Sequence, residues 1–201
     1  MPDFIYGRWP VLESLRAGRR QFQQLLIAEG VEEKEVVSEI TSTAETLGVH
    51  IHHVPRRIID DLANDGNHQG VVLRSSVYPY VALDDILQLA NERDEKPFLL
   101  ILDLLKDPQN VGVLARVANA VGVHGIVLQG RRSVDVTPAV VSASSGAIEH
   151  LLVAEVTNLV NAMKRLKEAD VWMVGFDIGP NVQPFDRVDL NIGLGLVLGS
   201  E

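Results

Sequence analysis

The chain contains no cysteine. That excludes disulfides, thiolate metal sites and a cysteine nucleophile, and it fits a reducing cytoplasm. Long hydrophobic runs are missing as well. The longest are strand-sized, far short of the roughly 20 apolar residues that a membrane-spanning helix needs. The N-terminus, Met1 to Tyr6, has no charged start followed by an apolar stretch, so no secretory signal is expected. Positive charge is scarce: 18 Lys and Arg stand against 27 Asp and Glu, a formal net charge of −9. That balance argues against a uniformly basic surface for polyanions but leaves room for local basic patches. No His/Asp/Glu spacing suggests a metal site. There is no Gly-x-Ser-x-Gly elbow, no Gly-x-x-x-x-Gly-Lys phosphate loop, no internal repeat and no low-complexity tract.

What is present is an apolar chain, 46% hydrophobic over 201 residues, enough for one large or two small domains. Residues 1–76 read as a small α/β unit. Helices are expected over 9–17, 31–47 (with an acidic outer face) and from Pro55, and strands over 22–28, 49–54 and 70–77. Residues 77–96 read as a linker carrying a helix over 83–93. From 97 onward, strand and helix alternate: 98–104, 111–121, 124–129, 137–147, 150–155, 158–168, 171–176 and 194–198. Such alternation implies a parallel sheet with helices on both faces.

The two halves are both acidic: residues 1–96 carry 10 basic against 16 acidic side chains, and residues 97–201 carry 8 against 11. Basic side chains gather in clusters instead: Arg16, Arg19 and Arg20; Arg56 and Arg57 near His50, His52 and His53; and Arg131 with Arg132. Clusters near turns are candidates for contact with a nucleic-acid backbone, although solvated loops are the commoner use of such pairs.

The densest chemical signal is the stretch 103–122. An apolar strand runs into Asp107-Pro108-Gln109-Asn110, then a helix of small residues that carries one cation, Arg116. Asn110 stands at the expected N-cap. An arginine inside a small-residue helix is costly to bury without an anionic partner. Strand, polar turn, helix and lone arginine describe an anion-handling site at the carboxyl edge of a parallel sheet. A second signal is Leu194-Gly-Leu-Val-Leu-Gly199-Ser200-Glu201, an apolar strand ending in Gly-Ser-Glu, where the glycine permits close backbone approach. A third is Ser142-Ala-Ser-Ser-Gly146-Ala147, read with equal weight as a helix C-cap with Gly146 left-handed, or as a close approach to a ligand.

Asp107-Pro-x-Asn110-x-Gly112, then Arg116, then Ala118-x-Ala120-x-Gly122, resembles the first signature of the SpoU family of RNA 2′-O-ribose methyltransferases, within the SPOUT superfamily. The stretch 194–201 resembles a second. His68-Gln69-Gly70 and Tyr6-Gly7 with the helix after them resemble the L30e-like RNA-binding domain that some members carry. The resemblance implies an α/β fold: an L30e-like domain at 1–76 that grips RNA, and a SPOUT parallel-sheet methyltransferase domain at 97–201. It implies S-adenosylmethionine as cofactor, no metal, a cytoplasmic homodimer, and RNA as substrate. The nearest members methylate a guanosine in bacterial large-subunit rRNA; a tRNA enzyme or a non-catalytic RNA-binding relative are the alternatives.

By the same resemblance, Asn110, Arg116 and Glu201 form the catalytic set. Leu128, Gly130, Gly146 and Gly199 line the cofactor pocket. Arg16, Arg19, Arg20, Arg56, Arg57, His68 and Gln69 contact RNA. The family continues past the equivalent of Glu201 with a Pro-Met turn and a Ser-Leu-Asn stretch that complete a trefoil knot. These are not in the sequence, so the knot and the cofactor site are expected to be incomplete in this chain.

Overall fold

The computed structural model describes residues 2–32, 34–64, 66–130, 133–177 and 182–199. In chain order its elements are β1 (Asp3–Tyr6), α1 (Arg8–Ala17), β2 (Phe22–Ala28), α2 (Glu35–Thr46), β3 (His50–Val54), α3 (Arg56–Ala63), β4 (Val71–Ser75), α4 (Leu83–Glu92), β5 (Phe98–Asp103), α5 (Pro108–Ala120), β6 (Gly125–Gln129), α6 (Pro138–Ala143), β7 (Leu152–Val156), α7 (Leu159–Glu168), β8 (Val171–Gly175) and β9 (Gly193–Gly199). Short 3-10 turns stand at Ala147–His150 and Phe185–Arg187. The chain forms two compact units. One comprises Met1–Pro79, Asp107–Asn119 and Asp135–His150; the other comprises Tyr80–Lys106, Ala120–Val134 and Leu151–Glu201.

The first unit is built on a four-stranded sheet in the order β1-β4-β2-β3. β2 is parallel to β3 and antiparallel to β4, and β4 is antiparallel to β1. β2 and β4 are apolar runs whose residues Leu25, Ile27, Val71 and Leu73 are buried. β1 is a strand that the sequence pattern does not announce; its four residues are too few to display a period, and pairing with β4 makes it a strand. α1 buries Val11, Leu12 and Leu15 and ends at Gly18, whose left-handed φ of 62° lets its N–H donate to the Ser14 carbonyl.

α2 begins at Glu35 rather than at 31. Val31 first turns inward, its N–H donating to the Ala28 carbonyl and its side chain packing with Leu26, Ala28, Ile59 and Val72. Val31's half-buried side chain packs against the sheet, so the chain turns here before the helix begins at Glu35. Pro55 caps α3 from outside instead of forming its first residue, because its ψ of 137° is extended.

The second unit holds a five-stranded, wholly parallel sheet in the order β7-β6-β5-β9-β8. β5 (Phe-Leu-Leu-Ile-Leu-Asp) is nearly continuous in apolar residues, which is how a strand covered on both faces reads. Leu99, Ile101, Val127, Ala154 and Val171 share a core with Leu83 and Ile86 of α4 and Leu159, Ala162 and Leu166 of α7. Alternate residues Leu100, Leu102, Ile126, Leu128 and Val153 point to the opposite face and are buried too. Each such Leu or Ile contributes about 1.5–3 kcal/mol by leaving water.

The stretch expected to link the two halves is not a tether. Val81 donates its N–H to the Val153 carbonyl, and α4 lays Leu83, Ile86 and Ala90 into the core of this unit. His124 fixes the start of β5: its Nδ1 accepts from the Phe98 N–H at 3.0 Å, and its Nε2 stands 2.9 Å from the Glu95 carboxylate.

Candidate active site and RNA-facing surface

In an open parallel sheet, ligands bind beyond the carboxyl ends of the strands, at the point where strand order reverses. Here β5, β6 and β7 wind outward in one direction. The chain then passes to β8 on the far side and returns as β9, inserted between β8 and β5. The reversal lies between β5 and β9, where Asp103 stands opposite Gly199. Leu104, just past β5, adopts a φ of 59°, a left-handed conformation that a non-glycine residue rarely takes. Strain of this kind collects where backbone is held for function.

Gly199 is exposed, and a Cβ at that position would meet no atom within 4 Å. The backbone at the reversal point is therefore open to a partner. Leu128 lies one strand over, next to Glu155 on one side and Leu102 on the other, with its side chain buried. Gly130 follows β6; a Cβ there would collide with the Glu155 carboxylate, and its N–H donates to the Val156 carbonyl. Leu128, Gly130 and Gly199 thus share one sheet edge. Of the three, Gly199 alone has open backbone; Leu128 is paired on both sides, and the Gly130 N–H is taken by the Val156 carbonyl. Glu201, with Ser200, lies outside the described residues, as do Arg131 and Arg132.

α5 and its turn depart from expectation in three ways. The helix starts at Pro108, and Asp107 is the capping side chain: its Oδ1 accepts from the Gln109 N–H at 3.1 Å. Asn110 is therefore not the N-cap but an exposed residue of the first turn. Asp followed by Pro at the first helical position outcompetes the later Asn for that role. Arg116 is exposed, with no carboxylate partner among the described residues. Asn110 and Arg116 are six residues apart, whereas helical neighbours are three or four apart, so Asn110 does not orient Arg116 by contact. Gly112 has a packing reason: a Cβ would meet the Ala143 carbonyl carbon and the Ser144 nitrogen, each at 2.9 Å.

The Ser142–Ala147 stretch resolves toward packing as well. α6 ends at Ala143, and Ser145 and Gly146 are both left-handed, with φ of 54° and 87°. A Cβ on Gly146 would lie 2.5 Å from the Glu13 Cβ and 3.2 Å from the Pro10 Cα. The close approach made by Gly146 is to α1.

The expected RNA-facing residues separate into two groups. Arg20 is corrected outright. Its side chain is fully enclosed, Nε and Nη2 donate to the Glu149 carboxylate at 2.8–3.1 Å, and Nη1 donates to Asp3 Oδ2 at 2.7 Å. Burial works against the charge, yet the bonds to Glu149 and then Asp3 outweigh it and raise the guanidinium pKa. Arg19 donates to the Tyr78 hydroxyl at 2.6 Å and to the Pro79 carbonyl at 3.2 Å, with its guanidinium 5.1 Å from the ring centroid. Arg16 is exposed but paired with Glu13 at 2.6 Å and with Glu39; those two carboxylates, Glu39 first, raise its pKa. Burial drives the Tyr78 hydroxyl pKa well above its ordinary value.

His68 is likewise structural. Its Nδ1 accepts from the Gly70 N–H at 3.0 Å and its Nε2 meets Asp60 at 2.8 Å, so no ring nitrogen is left for a nucleotide. Gln69, with φ 51°, turns its polar groups onto Arg8: Oε1 accepts the Arg8 backbone N–H at 3.1 Å, and its carbonyl accepts Arg8 Nε at 3.3 Å. Arg56 and Arg57 remain exposed without carboxylate partners among the described residues. Sequence reasoning misses Arg8 and Trp9. Their signal is an aromatic beside a cation, directly after Gly7 at the head of a helix.

A parallel α/β sheet with its reversal point at an open glycine defines a ligand-binding α/β protein. Comparison with known proteins narrows the class. Residues 97–201 match the SpoU rRNA methylase family, and residues 4–81 match the RNA 2′-O ribose methyltransferase substrate-binding domain. The chain belongs to the SpoU rRNA methylase family, whose members are RNA methyltransferases. It is 42% identical over 199 residues to YacO of Bacillus subtilis (strain 168), named for the TrmH family of tRNA/rRNA methyltransferases, covering 99% of this chain and 78% of that one. A Staphylococcus aureus (strain MSSA476) protein of the same family name is 36% identical, covering 98% of this chain and 78% of that one. Among solved structures, the SpoU methyltransferase AviRb from Streptomyces viridochromogenes, in complex with AdoMet, superposes with a TM-score of 0.75 at 22% identity, over 98% of this chain and 72% of that one. That likeness establishes the SPOUT type of fold.

Proposed function

We propose that this chain transfers the methyl group of S-adenosylmethionine to a ribose 2′-hydroxyl of RNA, at a guanosine of bacterial large-subunit (23S) rRNA. The observation that carries the reading is the reversal point between β5 and β9, with open backbone at Gly199 opposite Asp103. Leu128, Gly130 and Gly199 would line the cofactor pocket, with the open backbone at Gly199 closest to it, and the cofactor supplies a methyl carbon on a good sulfonium leaving group. AdoMet in the complex with AviRb supports that choice.

The residues of this chain then have to bind and orient the ribose. Arg116 serves as a phosphate clamp: a guanidinium holds its proton too tightly to act as a base, but it matches phosphate bidentately. Its exposure and lack of a carboxylate partner among the described residues leave it available for that anion. Asn110 is kept as a polar group near the nucleophile, and Glu201 as a carboxylate for Arg116. Positioning of two reactants supplies much of the rate in a displacement of this kind.

The division of labour is read as 1–76 for the RNA-binding domain, 97–201 for the methyltransferase domain and 77–96 between them, its α4 packed into the second unit. A cytoplasmic homodimer completes the reading. Calorimetric titration of S-adenosylmethionine, followed by transfer of a labelled methyl group to 23S rRNA or to tRNA, tests it. A 2′-O-methyl group makes the adjoining phosphodiester resistant to alkali, so the modified nucleotide can be mapped. Methylation of tRNA alone would replace the rRNA assignment, and absence of cofactor binding would leave an RNA-binding relative.

A further inference from the structure

The first unit contains a cleft of about 590 Å³ lined by Arg8, Trp9, Glu29, Val31, Arg56 and Gln69, with Glu32 at its rim. This is within the range of about 300–1,000 Å³ that small-ligand sites occupy. Its chemistry is unusual for a surface hollow. The Trp9 ring is 51% exposed in a chain with only two tryptophans. Arg8 is held in place by Gln69, which accepts both the Arg8 backbone N–H and its Nε. That leaves the two terminal nitrogens of the guanidinium, a preformed fork for an oxyanion. Arg56 adds a second exposed cation.

The acidic members decide between ligands. A bare inorganic anion would face Glu29 and Glu32. Glu32 is kept ionised by its bond to Lys34 and, in smaller measure, by the charge of Arg8. A ligand that suits this cleft confines its negative charge to the arginine side. It also carries a flat π-face for Trp9 and N–H donors for the carboxylates. A nucleotide has all three parts. Unpaired bases are read by stacking on aromatic side chains and by hydrogen bonds to their edges, whereas paired bases hide both.

We propose that this cleft holds one unpaired nucleotide of the substrate RNA, its base stacked on Trp9 and its phosphates against Arg8 and Arg56. The proposal rests on the reading of the chain as an RNA methyltransferase and adds the residues by which its first unit selects single-stranded RNA. Gln69 holds the Arg8 guanidinium through its main-chain carbonyl and the Arg8 backbone N–H through its side chain.

The test uses the full chain with Trp172→Phe, which leaves Trp9 as the sole fluorophore of its kind. A single-stranded RNA pentanucleotide of mixed sequence, a fully paired RNA duplex and guanosine 5′-monophosphate are titrated in turn. Trp9 emission and the anisotropy of end-labelled RNA are followed together, and S-adenosylmethionine binding is measured by calorimetry on every variant. The pentanucleotide is expected to quench Trp9 saturably, the duplex to leave it unchanged, and the mononucleotide to bind far more weakly. Trp9→Ala is expected to weaken pentanucleotide binding roughly tenfold, with Trp9→Phe recovering most of the loss. Arg8→Ala and Arg56→Ala should each reduce the slope of log affinity against log salt by about 0.7. Unmoved Trp9 emission while anisotropy saturates, or unchanged affinity and salt slope in the arginine variants, would overturn the proposal. Equal affinity for mononucleotide and pentanucleotide would reassign the cleft to free nucleotides. Failure of the parent chain to bind S-adenosylmethionine would count against the methyltransferase reading alone and leave the cleft result standing.

Discussion

Arg20 and Glu149 are 129 residues apart in sequence and form a fully buried ion pair, with Asp3 as a third member. Taking both charges out of water costs several kcal/mol per ion, and only near-complete hydrogen bonding recovers it. Arg20 achieves that: Nε and Nη2 reach Glu149, and Nη1 reaches Asp3 and the Ser76 carbonyl. Removal of one partner strands the other, so Arg20→Met is expected to destabilise the fold by about 3–5 kcal/mol in denaturant unfolding. Arg20→Met with Glu149→Met should recover most of it. Because the folded-state pKa of Arg20 is raised, its contribution is fully present below the unfolded value and is lost only as pH rises through the higher folded one. Measured against Arg20→Met with Glu149→Met, which leaves no stranded carboxylate at Glu149, the pair's contribution should be flat from roughly pH 6 to 9; a contribution that falls as pH rises within that window would show that the pair is not formed as described. His124 is a second buried polar residue held by bonds. It accepts the Phe98 N–H, so His124→Ala should cost about 1–3 kcal/mol by leaving that donor unpaired and a void where the buried ring stood.

Among the elements, α5 carries the clearest lesson about what the sequence makes legible. That a helix follows β5 is plain from the small-residue run after an apolar strand. Its start differs by three residues from the expected one because two capping side chains, Asp107 and Asn110, compete there, and only Asp107 has Pro108 behind it. Asp107→Ala should lower stability by about 0.5–2 kcal/mol, whereas Asn110→Ala should leave unfolding unchanged; the reverse order would return the cap to Asn110. Strands with continuous apolar runs are readable almost to the residue, as with β2 at Phe22–Ala28. β1 is not, because four residues hold no period and its strand character comes from β4. The basic cluster at Arg16, Arg19 and Arg20 is largely illegible because, apart from the local pair Arg16–Glu13, its partners Glu39, Tyr78 and Glu149 are remote in sequence. β9 is legible in shape, and a glycine at its end points to close approach. A Cβ on Gly199 would have no atom within 4 Å, and its φ is not left-handed, so Gly199→Leu should fold with unchanged stability. It should also weaken S-adenosylmethionine binding by tenfold or more, about 1.4 kcal/mol. Unchanged cofactor affinity would move the site off the β5–β9 reversal point.

At the scale of the whole molecule, the surface of α5 bears on assembly. Val113 and Val117 are one helical turn apart, so they share a face, and they are 57% and 55% exposed. Arg116 lies exposed beside them. Two β-branched apolar side chains in register, next to an exposed cation, are a poor use of water-facing helix unless another surface covers them. A net charge of −9 opposes self-association at long range, so contact between copies has to come from short-range burial of such patches rather than from electrostatic attraction. The proposed homodimer would supply that cover. Sedimentation of the chain at micromolar concentration is then expected to give about 44 kDa, twice the 22.0 kDa of one chain. Val113→Asp with Val117→Asp should convert it to the single-chain mass, because carboxylates set against their own symmetry copies repel and lose hydration together. Both positions are exposed in the single chain, so the double variant should keep its unfolding transition once concentration dependence is removed. A chain that already sediments as a monomer, or a double variant that remains dimeric, would place the assembly surface elsewhere and leave the valines of α5 for another partner.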